Sequence, residues 1–234
     1  MAVVFGLVSL TIRADQIIAG TAITLLGLGL TGALNRVLFG ERGPGLELPT
    51  LAPVAIPGLA QLPIIGSALF RQPLPTYLAY AAIGIAWWWL FRTHGGLALR
   101  ATGENPDAVR AAGLAPARQQ WAGLLAGGLG AGLAGGTLVL AQVGTFTEAM
   151  SAGRGFVAIA IVALGRWHPG GAALAALVFG AASALQYTLQ SAGSTLPYQL
   201  FLALPYALTL VALAIASGRY RGPAALGRRQ PLRA

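Results

Sequence analysis

Residues 119–141 read QQWAGLLAGGLGAGLAGGTLVLA, a run of 23 residues without a single charge. Inside it, Gly130-Ala131-Gly132-Leu133-Ala134-Gly135 matches, formally, the glycine fingerprint of dinucleotide-binding folds. That fingerprint works only where a strand precedes it and a helix N-terminus meets a pyrophosphate. Neither condition holds within an unbroken apolar run. A helix needs about 20 mainly apolar residues to cross the hydrocarbon core of a bilayer, so the stretch reads as a membrane span. The glycines then have a different use. Gly128, Gly132 and Gly136 recur every four residues, and such a stripe of bare backbone lets a neighbouring helix approach closely.

The rest of the chain reads the same way. The runs 17–34, 74–91, 170–186 and 198–216 are of similar length and carry no charged residue. This is expected where a charge at mid-span costs about 2.5–3.5 kcal/mol on insertion scales. Two shorter runs, 2–12 and 155–165, do not span on their own apolar residues. Of all residues 56% are hydrophobic and 9% charged, against about 25% charged in a soluble domain. Such a chain cannot clothe a globular surface in polar groups. The expected fold class is all-α, a polytopic transmembrane helix bundle, with 1–234 forming one domain.

Charge placement orients the bundle. With residues 92–118 placed in the cytoplasm and 155–165 crossing, the inner side holds Arg13, Arg92, Arg100, Arg110, Arg118, Arg166 and the five arginines of the tail. Arg36, Arg42, Arg71 and Arg154 fall outside. Eleven against four is the asymmetry of the positive-inside rule. The formal net charge of +9 therefore belongs to membrane orientation and anionic headgroups. Aromatic residues scarcely interleave with the basic ones, Tyr220 between Arg219 and Arg221 aside, where a nucleic-acid surface would require it repeatedly. Residues 217–234 read as a basic cytoplasmic tail.

Chemistry-bearing patterns are few. The chain has no cysteine, which excludes disulfides, thiolate metal sites and cysteine nucleophiles. Its six acidic residues sit in loops or at span ends, and no nucleophile–base pair or metal-spaced cluster emerges. We therefore expect no enzyme, no cofactor and no metal. The sequence also lacks a phosphate-binding G-x-x-x-x-G-K-[ST] motif, so any nucleotide energy comes from another chain.

Three segments stand apart from the spans. Seven of the 14 prolines fall between Pro44 and Pro75, which forbids a regular helix. The segment is nevertheless too apolar for a solvated loop, so it reads as an ordered outer cap or a broken helix packed on protein. AQVGTFTEAMSAGRGF, 141–156, sets Gln142, Thr145, Thr147 and Glu148 at the outer end of the long span, before a short apolar run. Broken or short helices with polar ends are where transporters hold substrate, and these four are candidates for the substrate path; an ordinary outer turn is the alternative. Finally, LRATGENPDAVRAAGLAPAR, 99–118, holds a short polar helix over 106–112. Asn105 is its N-cap, Pro106 suits its first turn, Asp107 complements the dipole and Gly113 stops it. Ala108, Val109, Ala111 and Ala112 give it a small apolar surface. A helix this short is marginal alone in water, so either lipid headgroups or a partner's groove holds it.

RATGENPDAVRAAGL (100–114) resembles the cytoplasmic coupling loop of the permeases of ABC importers that serve simple sugars, nucleosides and branched-chain amino acids. SAGRGFVAIAIVALGRWHPGGAALAALVFGAASALQ (151–186) resembles the same family's segment after its long span. RADQIIAGTAITLLGLGLT (13–31) and IPGLAQLPIIGSALF (56–70) are similar to its sugar and nucleoside branch, related to ribose permeases. The resemblance implies an inner-membrane permease subunit that forms the path for a nucleoside or simple sugar. It makes Gly103, Glu104, Asn105, Pro106, Ala108 and Gly113 the element that docks on a separate ATPase, with Ala111 joining them on the apolar face. It further implies ATP bound by that ATPase, a second permease subunit (identical or not), an external solute-binding protein, and no nucleic acid. Members of this branch carry further membrane segments ahead of the part that aligns, so the resemblance implies a wrongly placed start, a fragment or a degenerate copy. A secondary transporter or channel working without an ATPase, or a shortened copy that does not transport, are the alternative readings.

The arginine count yields a direct test. Reporter fusions after Gly113 and after Arg233 should both read cytoplasmic; opposite readings would contradict the assigned sidedness.

Overall fold

The computed structural model describes residues 1–40, 49–61, 65–191, 203, 207, 209–211, 214 and 222–227. The last expected span, 198–216, and the tail, 217–234, therefore lie largely outside the described residues. Helix α1, Ala2–Gly6, continues as a π turn over Leu7–Thr11. Helix α2, Gln16–Phe39, starts at Asp15, whose carboxylate accepts from the Ile17 and Ile18 amides at 2.9 and 3.3 Å. Its 24 residues rise about 36 Å, enough to cross a bilayer.

After α2 comes the proline-rich segment, an ordered cap among the described residues. Strands β1, Val54–Ala55, and β2, Arg71–Gln72, pair antiparallel, Val54 opposite Gln72 and Ala55 opposite Arg71. A 3₁₀ turn, Leu59–Gln61, and helix α3, Ile65–Leu69, lie between them. Of the two sequence alternatives, the cap fits, because backbone groups that proline cannot pair within a helix are paired across strands and with side chains. The Tyr77 hydroxyl donates to the Val54 carbonyl at 2.8 Å, and the Leu51 amide donates to the Leu140 carbonyl at 2.9 Å.

Helix α4, Leu74–Arg92, leads to two short helices, α5, His94–Glu104, and α6, Pro106–Ala111. Helix α7, Pro116–Thr137, runs on as a π turn over Leu138–Val143. Helices α8, Arg154–Leu164, and α9, Pro169–Ser191, complete the described bundle. Among the described residues, four helices are long and apolar enough to cross a membrane: Gln16–Phe39, Leu74–Arg92, Pro116–Val143 and Pro169–Leu189. They match the four expected spans that fall on described residues to within about five residues at each end.

Lipid offers no hydrogen bonds, so every polar group in a span must find its partner within the protein. The hydroxyls obey this rule. Thr21, Thr24, Thr31, Thr137, Ser183 and Thr188 each donate to the carbonyl four residues earlier, at 2.7–3.0 Å. The buried core is correspondingly small: Ala160 and Phe179 at its centre, with Val157, Ile161 and Leu164 packed around them. Leu129 and Leu133 of α7 are exposed at 72% and 68%, which is unfavourable in water and ordinary against acyl chains.

Two features differ from the sequence expectation. The run 155–165 reads as crossing, yet α8 has 11 residues and rises only about 16 Å, near half of a hydrocarbon core of about 30 Å. The glycine stripe is also used unevenly. A Cβ on Gly128 would collide with the Ala2 side chain, whereas Gly132 and Gly136 have nothing within 4 Å among the described residues. Close approach to α7 comes instead from α1, where a Cβ on Gly6 would lie 2.5 Å from the Trp121 ring and 2.7 Å from Leu124.

This geometry sets an order of tolerance. Gly128→Leu should cut membrane yield and detergent monodispersity of the isolated chain several-fold through overlap with α1, while Gly132→Leu should leave both near wild type. The reverse order would show that α1 does not pack on this face.

Candidate functional site

Two places on the bundle carry polar residues in built surroundings, one at each end. At the inner end, Gly96 lies so close to the Trp89 carbonyl and Leu90 that no side chain fits there, and the chain folds sharply from α4 into α5. The Thr93 hydroxyl caps α5 by accepting from the Gly96 amide at 3.1 Å. Asn105 then caps α6, its side-chain oxygen accepting from the Asp107 and Ala108 amides at 3.1 Å each. Such a cap is worth about 1 kcal/mol. Asp107 pairs with Arg110 along the exposed side. Gly113, at φ +78°, ends the helix in the left-handed region, its amide donating to the Arg110 carbonyl at 2.9 Å.

Helix α6 packs against both α5 and α7. Val109, 4% exposed, is the residue that fastens it, while Ala108, Ala111 and Ala112 face outward. The sequence grouped all four as one apolar surface. In the fold they divide, because residues one apart on a helix point about 100° away from each other. Within the chain, α6 is thus seated on protein through Val109, and its alanines remain available.

Gly103 and Glu104 have a second set of contacts that no sequence motif announces. The Ala225 amide donates to the Gly103 carbonyl at 2.9 Å, and the Ala224 amide approaches a Glu104 carboxylate oxygen at 3.4 Å. Pro223 sits over Gly103, where a Cβ would lie 3.3 Å away. A carbonyl at a helix C-terminus has no intrahelical donor, and the tail segment supplies one. The same end gathers the α8–α9 corner: the Phe91 and His168 rings lie 4.9 Å apart, and Arg100 stacks over Phe91 at 4.5 Å. Residues 92–104, the corner at 165–168 and the tail segment 222–227 therefore share one end of the bundle.

At the outer end, Gly144, at φ +75°, terminates the long helix after the π turn that holds Gln142. Glu148 meets Arg36 of α2 at 3.3 Å, both largely exposed, and rests on Gly32. An exposed pair of this kind adds about 0–1 kcal/mol. Thr145 is half-buried, and Gln142 and Thr147 are exposed. Gln142 thus lies on the π turn and Thr145, Thr147 and Glu148 on the loop after it, and the four do not converge on a pocket. A cavity of about 400 Å³ lies nearby between α8 and α9, lined in part by Arg154, Ser183, Gln186 and Tyr187 and by none of those four. These polar residues are spread over sequence positions 154–187, and only the α8–α9 hairpin unites them. Gln186, the polar residue that closes the charge-free run 170–186, was the available signal. Among the described residues no group of three or more potential metal ligands occurs.

Comparison with known proteins agrees with this architecture. Residues 1–213 match the family described as branched-chain amino acid transport system / permease component. The guanosine ABC transporter permease protein NupQ of Bacillus subtilis is 35% identical over 222 residues, covering 94% of this chain and 70% of the relative. The nucleoside ABC transporter permease protein NupC of Lactococcus lactis is 33% identical over the same shares. The putative glucose ABC transporter permease protein TsgC13 of Haloferax volcanii is 33% identical over 82% of this chain and 58% of its own length. No solved structure matches.

Proposed function

This chain belongs to the branched-chain amino acid transport system / permease component family, and from that premise we propose how its parts work in an ABC importer. It is a multi-pass membrane permease, and the solute it passes is a nucleoside or a simple sugar. As a permease component it supplies a path and performs no covalent chemistry. ATP is bound and hydrolysed by a separate ATPase subunit on the cytoplasmic side. An external solute-binding protein delivers the solute to the outer end, and a second permease subunit completes the path. The whole of 1–234 acts as one domain, with 92–118 as its coupling loop and 217–234 as its basic cytoplasmic tail.

The observation that supports the coupling role best is α6 itself. It is capped at both ends, fastened by Val109, and presents Ala108 and Ala111 outward. Small exposed residues on a rigid short helix suit a groove, because little side-chain entropy is lost on docking. Gly103, Glu104, Asn105, Pro106 and Gly113 fix where that surface stands. The contacts of α5 with α4, and of the corner at 165–168 with Phe91, give a route by which movement of α6 reaches the spans. At the outer end, Gln142 on the π turn and Thr145, Thr147 and Glu148 on the loop after it form the surface over which arriving solute passes.

A docking surface of this kind is sensitive to bulk and charge. Ala108→Trp and Ala111→Asp should each reduce ATPase co-purification at least tenfold and abolish substrate-stimulated ATP hydrolysis in liposomes with the full partner set. The permease should still insert and remain monodisperse. Overpacking typically costs about 1–3 kcal/mol, and an unpaired buried charge costs more. Retention of both activities in both variants would leave α6 without a coupling role.

A further inference from the structure

The cavity lies between α8 and α9, with Val157 and Ile161 of α8 on one side, Ala176 and Gly180 of α9 on the other, and Ala152 at its edge. Its volume, about 400 Å³, falls within the range of about 300–1,000 Å³ common to small-molecule sites.

Its lining is of two kinds. Phe179, 3% exposed, and Ile161 give an apolar wall. Arg154, Ser183, Gln186 and Tyr187 give the polar groups. The decisive residue is Gln186. It is 7% exposed and lines the cavity, yet its carboxamide has no hydrogen bond to any described residue. Buried polar groups are almost always hydrogen-bonded, and one left without a protein partner on a cavity wall calls for a partner inside the cavity. Its neighbours have capacity to spare. The Ser183 hydroxyl donates to the Phe179 carbonyl at 3.0 Å, which leaves its oxygen free to accept. One Arg154 nitrogen donates to the Met150 carbonyl at 2.9 Å, and a guanidinium has five N–H groups.

We propose that this cavity is a solute-holding site of the permease, with Gln186 as the residue that pairs with the solute's hydroxyls. The proposal rests on the importer reading and adds the place where solute is held. Arg154 of α8 and Ser183, Gln186 and Tyr187 of α9 offer donors and acceptors beside the Phe179 ring, a surface suited to a neutral sugar ring. No carboxylate stands among the described lining residues, so nothing there selects a cation. A ribosyl ring of a nucleoside and a free monosaccharide share this chemistry, and guanosine and glucose serve as the two probes.

The test uses the full chain purified into nanodiscs, with equilibrium binding of radiolabelled guanosine and of glucose, thermal unfolding, and capture of the ATPase on the same particles. Wild type should bind one of the two, and which one identifies the source of the sugar ring. Gln186→Leu should weaken that binding at least tenfold while its unfolding midpoint stays level or rises, since an unpaired buried amide has been removed. Tyr187→Phe, at the exposed rim, should weaken binding by a smaller factor and fold normally. Binding of neither probe to wild type overturns the proposal. So does unchanged affinity in both variants, or a fall in the Gln186→Leu midpoint with affinity intact, which would make Gln186 a structural residue. ATPase capture reports separately on the importer reading: its failure with binding intact removes that reading and leaves the site.

Discussion

A bilayer interior supplies no hydrogen-bond partners, and the architecture of this permease follows from that constraint. Each spanning backbone closes its own ladder as a helix, and the hydroxyls of Thr21, Thr24, Thr31, Ser183 and Thr188 turn back onto carbonyls one turn earlier. Apolar side chains such as Leu129 and Leu133 can then face outward freely. The helices end where partners outside the ladder are at hand: the chain between Gly144 and Gly153 is non-helical and brings Glu148 to Arg36 before α8 begins.

The inner end obeys the opposite requirement. Water and headgroups are available there, so short helices can end wherever caps allow. Thr93, Asn105 and Gly113 set three such ends within about twenty residues. The elements they delimit are then tied to the bundle by few but varied contacts: Val109 packed in α6, Arg100 over Phe91, Phe91 against His168, and the tail amides on Gly103 and Glu104. A motion of α6 therefore has both α4 and the α8–α9 corner as immediate neighbours. In the proposed coupling role α6 is the moving part, small and rigid, with neighbours on more than one element.

Much of this was legible in the sequence, for physical reasons. Spans are read from charge-free runs because the penalty for a central charge is large, and caps are read from Asn105, Pro106 and Gly113 because each answers a local backbone need. Other features depend on what a residue meets across the fold. Gly128 and Gly132 are equivalent in spacing, yet only the first faces α1. Glu104 sits in a motif read as a docking element, while its carboxylate lies beside the tail at Ala224. Gln186 closes a charge-free run in the sequence, and in the fold it is a buried amide on a cavity wall. Gln142, Thr145, Thr147 and Glu148 are near neighbours in the chain, but sequence proximity did not make them converge.

The account stands on α6 being a protein-seated surface that another protein covers. The chain has no cysteine, so Ala111→Cys introduces a single thiol on the outward side of that helix. With inside-out vesicles, a membrane-impermeant maleimide should label it readily in the permease alone, and bound ATPase should protect it at least tenfold. Equal labelling with and without the ATPase, or labelling only from the opposite face of the membrane, would contradict the account.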